Sequence, residues 1–349
     1  MSAPRSESLR TLHPAYFALV MATGITSIAA KFLGMTPIAM ALLVINIPAF
    51  LTLWVLTILR IVRFPADVAA DLTDHQRGVG FFTAVAASSV LGSQLMILVA
   101  ARNVAIALWF LTLVLWAVLL YAVFTALTVK EVKPTLDQGI NGGWLVAVVA
   151  TESVSTLASL LAPTLGALAE PVLFVSLVFW LAGGMLYVWL ISLIFYRYMF
   201  FHFSPSDLMP PYWINMGAMA ISTLAGALLL QNAAASQLVR RLDAFVLGLT
   251  LLFWATATWW IPMLLILGFW RHVYRRFPLT YSPLYWGAVF PIGMYTVATY
   301  RLSAVPGLGF LLPIPRVFVF LDLAAWAVTF VGLIRSFRSA GRPRAARAA

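Results

Sequence analysis

The chain has no cysteine in 349 residues. Disulfides, iron–sulfur clusters and thiolate chemistry are therefore excluded. Charge is scarce as well. Asp, Glu, Lys and Arg make up 9% of the residues, where soluble domains carry about 25%. The four histidines, His13, His75, His202 and His272, fall at predicted helix ends or loops. None pairs at haem or zinc spacing inside an apolar run, so no metal or other cofactor is implied. No glycine-rich phosphate loop or Walker pattern is present, which argues against an ATP-driven pump. The loops are short and hold no cluster of His or Asp, which argues against a polytopic membrane enzyme.

What the chain has in abundance is apolar length: 63% of its residues are hydrophobic. Repeated apolar runs of about 18 residues or more mark transmembrane helices. Ten spans are expected, at roughly 13–33, 36–62, 78–101, 104–129, 140–162, 169–197, 212–232, 243–270, 283–302 and 312–335. Turn signals separate them: Phe64-Pro65, Lys133-Pro134, Ser204-Pro205, Pro210-Pro211, Phe277-Pro278 and Val305-Pro306-Gly307. No polar domain intervenes, so one all-α integral membrane domain over 13–335 is expected, between a tail over 1–12 and a basic tail over 336–349. Arg5 and Arg10 before an apolar stretch resemble a signal peptide. The stretch runs on through Lys31-Phe32-Leu33 without a small-residue cleavage site, so it is the first span. Span eight is longer than about 20 residues and should tilt. Its Trp254, Trp259, Trp260 and Trp270 are expected to face lipid or anchor at the interface.

The net charge of +11 suggests either nucleic acid or a membrane protein that retains its basic residues on the cytoplasmic side. Ten spans put both termini on one side, together with 16 of the 22 Lys plus Arg. Only Lys31, Arg102, Arg240, Arg241, Arg301 and Arg316 fall on the other. That asymmetry is the positive-inside pattern. The expected partner is the lipid bilayer of the cell membrane, not nucleic acid, with both termini cytoplasmic.

Five segments open alike, with an aromatic followed by small and hydroxyl residues. The aromatics Phe17, Phe82, Trp144, Trp213 and Trp286 are 65, 62, 69 and 73 positions apart. That interval holds one helical hairpin, and five hairpins around an axis would enclose a pore. The odd spans carry the polar groups, among them Thr23, Ser88, Thr151, Glu152, Asn215 and Thr296, whereas the even spans are long runs of Leu, Val, Ile, Phe and Trp. Polar groups are costly against lipid. Odd helices inside and even helices outside is the simplest arrangement. Small residues that merely let helices pack closely would leave the same pattern.

Three positions stand out. Glu152 lies mid-span, where a carboxylate costs roughly 2.5–3.5 kcal/mol on insertion scales. It is either a proton-coupling or pore-facing group, or a neutral acid hydrogen-bonded between helices. Asp322 in span ten is expected to pair with Arg301 or Arg316. Phe290 precedes Pro291 in span nine. Proline removes a helical hydrogen bond and kinks the helix, which would push the ring toward the axis. In the repeat its counterparts are Met21, Ala86, Val148 and Gly217. Phe290 is thus a plug or an ordinary packed side chain.

These segments resemble the tellurite-resistance/dicarboxylate transporter family. That family includes bacterial tellurite-resistance permeases, fungal malate and sulfite transporters, and plant guard-cell slow anion channels. The likeness covers about residues 13–335 and rests on several short segments. These are Tyr16-Phe17 with Met21-Ala22-Thr23-Gly24, Gly78-Val79-Gly80-Phe81-Phe82-Thr83, Asn141-Gly142-Gly143-Trp144-Leu145, Pro211-Tyr212-Trp213-Ile214-Asn215-Met216-Gly217-Ala218, and Tyr285-Trp286 with Phe290-Pro291. It implies five hairpins with pseudo-five-fold symmetry, one pore per subunit, a homotrimer, and permeation by small inorganic or organic anions. The family's gating phenylalanine, on the ninth span before a proline, matches Phe290 and Pro291. The expected pore-lining set is Met21, Thr23, Ala86, Ser88, Val148, Thr151, Glu152, Asn215, Gly217 and Thr296. With no Lys or Arg expected mid-pore, attraction for anions falls to helix dipoles, hydroxyls and cytoplasmic arginines. An ionised Glu152 fits poorly in such a pore. The alternative is a proton-coupled symporter or exporter of a C4-dicarboxylate such as malate, or of sulfite, using Glu152.

Overall fold

The structure, a computed structural model, describes residues 3–340, and every regular element among them is helical. The chain opens with α1 (Ala3–Arg10), so the expected N-terminal tail is largely helical and packs on α3. Five hairpins follow. The first is α2 (Ala18–Phe32) with α3 (Thr36–Arg63), leading through α4 (Pro65–Leu72) to α5 (Phe82–Val99) with α6 (Arg102–Val129). After the short α7 (Leu136–Gly139) come α8 (Val146–Leu161) with α9 (Ala169–Phe200). Then α10 (Ile214–Gln231) is joined by α11 (Gln237–Arg241) to α12 (Asp243–Phe269), and α13 (Trp286–Ser303) pairs with α14 (Pro313–Ala340). Of the tail residues expected on the basic side, Arg342, Arg344 and Arg347 lie outside the described residues, as do the side chains of Arg5 and Arg338.

Among the described residues, nine helices are long and apolar enough to cross a membrane. The helix that falls short is α13, expected as the ninth span. It has 18 residues, and Tyr295, Thr296, Thr299, Tyr300 and Arg301 dilute its apolar content.

The helices divide into two layers. α2, α5, α8, α10 and α13 pack side by side in that order, and α13 returns to α2, closing a ring. α3, α6, α9, α12 and α14 each pack on their own inner partner from outside. α3, α6, α9 and α14 also reach the next inner helix round the ring, and α12 reaches α13 through Trp254 to Thr299 at 3.1 Å and Thr258 to Tyr295 at 2.8 Å. In their most apolar stretches, 72–94% of the residues of α2, α5, α8 and α10 are buried, against 22–39% in the five outer helices. The small residues of the inner helices let backbones approach closely. The outer faces, with Val44, Leu51, Val55, Val114 and Val118 exposed, suit lipid.

Span eight corrects one expectation. Trp259 is exposed, but Trp260 is buried and donates to the Tyr187 hydroxyl at 2.9 Å, and Trp254 serves Thr299. A tryptophan stripe on a helix with neighbours on two sides cannot all face lipid.

Cations tie the hairpins together at the end where the inner helices begin. Arg60 of α3 donates to the Arg10 carbonyl and Lys130 after α6 to the Thr73 carbonyl, at 3.0 and 2.8 Å. Arg197 of α9 donates to the Ile140 carbonyl at 3.0 Å, and Arg271 to the Leu208 carbonyl. In each of these four hairpins the cation at the end of the outer helix clasps the segment that enters its inner partner. The basic residues grouped on one side by sequence therefore also hold the fold.

Candidate functional site: an axis between two cavities

Each inner helix is entered through a tight 3-10 turn: Pro14–Phe17, Gly78–Phe81, Gly142–Leu145, Pro210–Trp213 and Pro283–Tyr285. Proline suits the first turn, where its missing N–H is no loss. His13 Nδ1, Asn141 Oδ1 and Ser282 Oγ accept from backbone N–H groups at three of these entries. The turns converge on a cavity of about 280 Å³. All five contribute, through Ala15, Gly80, Gly143, Pro211 and Leu284. One turn further in, Ala18, Thr83, Val146, Ile214 and Gly287 line it too.

A second, smaller cavity, of about 30 Å³, lies between the opposite halves of the same five helices. Its first level is Ile25, Val90, Ser153, Ile221 and Met294, each seven residues after the innermost lining residue of the first cavity. Three residues on come Ile28, Ser93, Thr156, Leu224 and Val297, and four beyond those Phe32, Ile97, Leu160, Leu228 and Arg301. One face of each helix thus supplies both cavities at helical spacing.

Between the cavities this register places Met21, Ala86, Val149, Gly217 and Phe290, all buried. Phe290 is 1% exposed and is the one aromatic ring at its level. The third counterpart is Val149 rather than Val148, because the repeat slips by one residue. Leu145, not Trp144, occupies the position equivalent to Phe17, Phe82, Trp213 and Trp286. Trp144 instead donates to the Gly139 carbonyl at 3.0 Å and stacks on Phe124. Nor do Phe17, Phe82 and Trp286 line either cavity. Phe17 packs on Phe50 and Trp54 of α3, Phe82 on Phe124 of α6, and Trp286 on Trp326 of α14. They fasten inner helices to outer ones.

Most of the polar residues expected along the axis face sideways. Thr23 accepts from Trp326 Nε1 at 3.0 Å and Thr151 from Trp116 Nε1 at 2.9 Å, both from outer helices. Asn215 donates to the Tyr198 hydroxyl at 3.1 Å. Ser88, Thr151 and Thr296 donate to carbonyls four residues back, at 2.8–2.9 Å, a bond that lets a hydroxyl sit in an apolar setting without water. The hydroxyls that do line the second cavity, Ser89, Ser93, Ser153 and Thr156, come from α5 and α8 alone. Thr156 and Arg301 had no sequence signal except their distance from the start of the repeat.

Glu152 is fully buried away from both cavities. Its Oε1 accepts from Ser222 at 2.9 Å, its Oε2 has no partner, and its side chain lies against Gly183 of α9. Asp322 is arranged in the same way. It accepts from Thr26 at 3.0 Å, has one unpartnered oxygen, and lies against Gly293. The expected arginine partner for Asp322 is thus replaced by a threonine hydroxyl. Arg301 is engaged elsewhere, with Gln231 at 3.2 Å.

Charge at the first cavity is organised by Asp71. It receives Arg60 at 2.7 Å and Arg77 at 2.6 and 3.0 Å. Burial works against its carboxylate, but the two guanidiniums hold it below the usual range. Arg77 lines the cavity beside His13. Burial, aided by Arg77, pushes the His13 imidazole down to about 4, so at neutral pH it is uncharged.

Comparison with known proteins fits this geometry. The chain is 40% identical over 149 residues to an uncharacterized membrane protein of Mycobacterium tuberculosis, covering 43% of this chain and 75% of that one. It is 25% identical over 342 residues to an uncharacterized transporter of Methanocaldococcus jannaschii, covering 95% and 96%. A second uncharacterized transporter of that organism is 24% identical over 336 residues, covering 93% and 92%. These names point to a transporter or channel rather than an enzyme. The sequence pattern of the voltage-dependent anion channel family matches residues 11–334, nearly the whole helical bundle, and this multi-pass membrane protein belongs to that family.

Proposed function

We propose that the chain is a cell-membrane anion channel or uniporter whose path runs along the axis of the five inner helices and is closed by the Phe290 ring. The observation that carries this is the pair of cavities supplied by one face of the same five helices. Four of them offer Met21, Ala86, Val149 or Gly217 between the cavities, and the fifth offers a phenylalanine followed by proline. Apolar constrictions gate by excluding water. In this arrangement α13 serves as the ninth of ten spans, residues 13–335 form one pseudo-five-fold transport domain, and both tails are cytoplasmic. The family resemblance supports a homotrimer with one path per subunit.

Phe290→Ala should raise chloride or nitrate flux into proteoliposomes at least tenfold over wild type. Unchanged flux from a folded variant would overturn the gate. The proton-coupled reading, with malate or sulfite as cargo, draws on the unpartnered Oε2 of Glu152. The Glu152 side chain is wedged between α9 and α10 and lines neither cavity, which favours the channel.

A further inference from the structure

We propose that the second cavity holds an anion-binding site built from the Arg301 guanidinium and the Ser93 hydroxyl, suited to a small anion of single charge. It rests on the axial path proposed above and names where an anion pauses beyond the gate.

Arg301 is the one cation among the residues that line the cavity. It stands eleven residues after Phe290, three turns along the same face of α13. No carboxylate pairs with it among the described residues. Its restraints are weak for a guanidinium: Gln231 Oε1 at 3.2 Å and the face of the Phe32 ring at 4.5 Å, with Nε left unpartnered. A cation in such surroundings normally finds a counter-charge. Ser93 supplies the second observation. It is 6% exposed, lines the cavity one level below Arg301, and has no hydrogen-bond partner among the described residues. Ser89, Ser153 and Thr156 already donate to carbonyls, so Ser93 alone has a free O–H to offer.

Apart from the engaged hydroxyls of Ser89, Ser153 and Thr156, the rest of the wall is apolar. An anion entering it sheds water and gains one charge-assisted contact and one hydroxyl. A singly charged, weakly hydrated anion is neutralised by Arg301. A dianion keeps one uncompensated charge in an apolar cavity, which is costly. The site therefore discriminates by charge.

The test uses the full chain, with chloride, nitrate and sulfate as probes. Flux is measured over a concentration series in the Phe290→Ala background, where the axis is open. Thermal unfolding in detergent is followed with and without chloride. Arg301→Gln should raise the half-saturating chloride concentration at least fivefold and Ser93→Ala two- to threefold, and Arg301→Gln should erode the preference for chloride over sulfate. Gln231→Glu provides an internal carboxylate beside the guanidinium at an exposed, near-isosteric position. It should also raise half-saturation at least fivefold and abolish stabilisation by chloride, and it decides the matter where Arg301→Gln does not fold. Half-saturation and chloride stabilisation both unchanged in Gln231→Glu would overturn the site. If no anion crosses even in Phe290→Ala, yet chloride stabilises wild type and not Gln231→Glu, the site stands and the axial path falls.

Discussion

Gly217 of α10 lies directly against Pro291 of α13: a β-carbon on Gly217 would come within 2.7 Å of the proline Cγ and 3.2 Å of its Cα. The missing side chain is what lets the proline-bearing turn of α13, and Phe290 with it, seat in the ring. Pro291 cannot donate to the Gly287 carbonyl, so that turn depends on its neighbours for position.

Gly217→Ala should therefore displace α13 and cost about 1–3 kcal/mol, the usual range for overpacking. A lowered melting temperature in detergent, with altered chloride flux, is the expected result. A variant with wild-type stability and flux would show that the contact does not position Phe290.

Asp71 joins Arg60 and Arg77, and the Arg60 and Asp71 side chains are 5% and 11% exposed. Removing one partner of a buried pair leaves the other charge uncompensated, at about 3–5 kcal/mol. Asp71→Asn should lower the melting temperature sharply. The double variant Arg60→Met with Asp71→Leu should recover part of the loss, and failure to recover any would show that the cluster acts through more than charge.

Glu152→Gln should fold and conduct within about twofold of wild type, since the amide oxygen can still accept from Ser222. A pH gradient should not drive uptake in either protein. Loss of gradient-driven malate or sulfite uptake in the variant would instead favour the proton-coupled reading.

His13 links stability to pH. Its folded value, about 4, lies below the 6.5 of the free side chain. Between the two the unfolded chain binds a proton that the folded chain does not, so stability falls as pH drops from about 6.5 toward 4, by up to about 3 kcal/mol. Asp71, held low, contributes stability that is present above 3.8 and lost only as pH falls further, outside that window. His13→Asn keeps an acceptor for the Ala15 N–H without titrating in this range. Melting curves at pH 7 and 4.5 should show a smaller loss in His13→Asn than in wild type.

By itself the sequence determined a cysteine-free, multi-helical membrane protein, its inner and outer helices, its family, and the prominence of Phe290. Those properties follow from apolar length, turn residues and composition, which do not depend on which way any one side chain points. Only the tertiary structure decided direction. A hydroxyl such as Ser88 can satisfy itself on its own helix, so its presence does not reveal a wet path. A repeat read from its aromatics slips by one residue at Leu145, and on a helix one residue is 100° of rotation. That rotation carries the wall from Val148 to Val149. Arg301 shows the same limit: the charge pattern placed it near a membrane face, and only the closing of α13 onto α2 set it over the cavity.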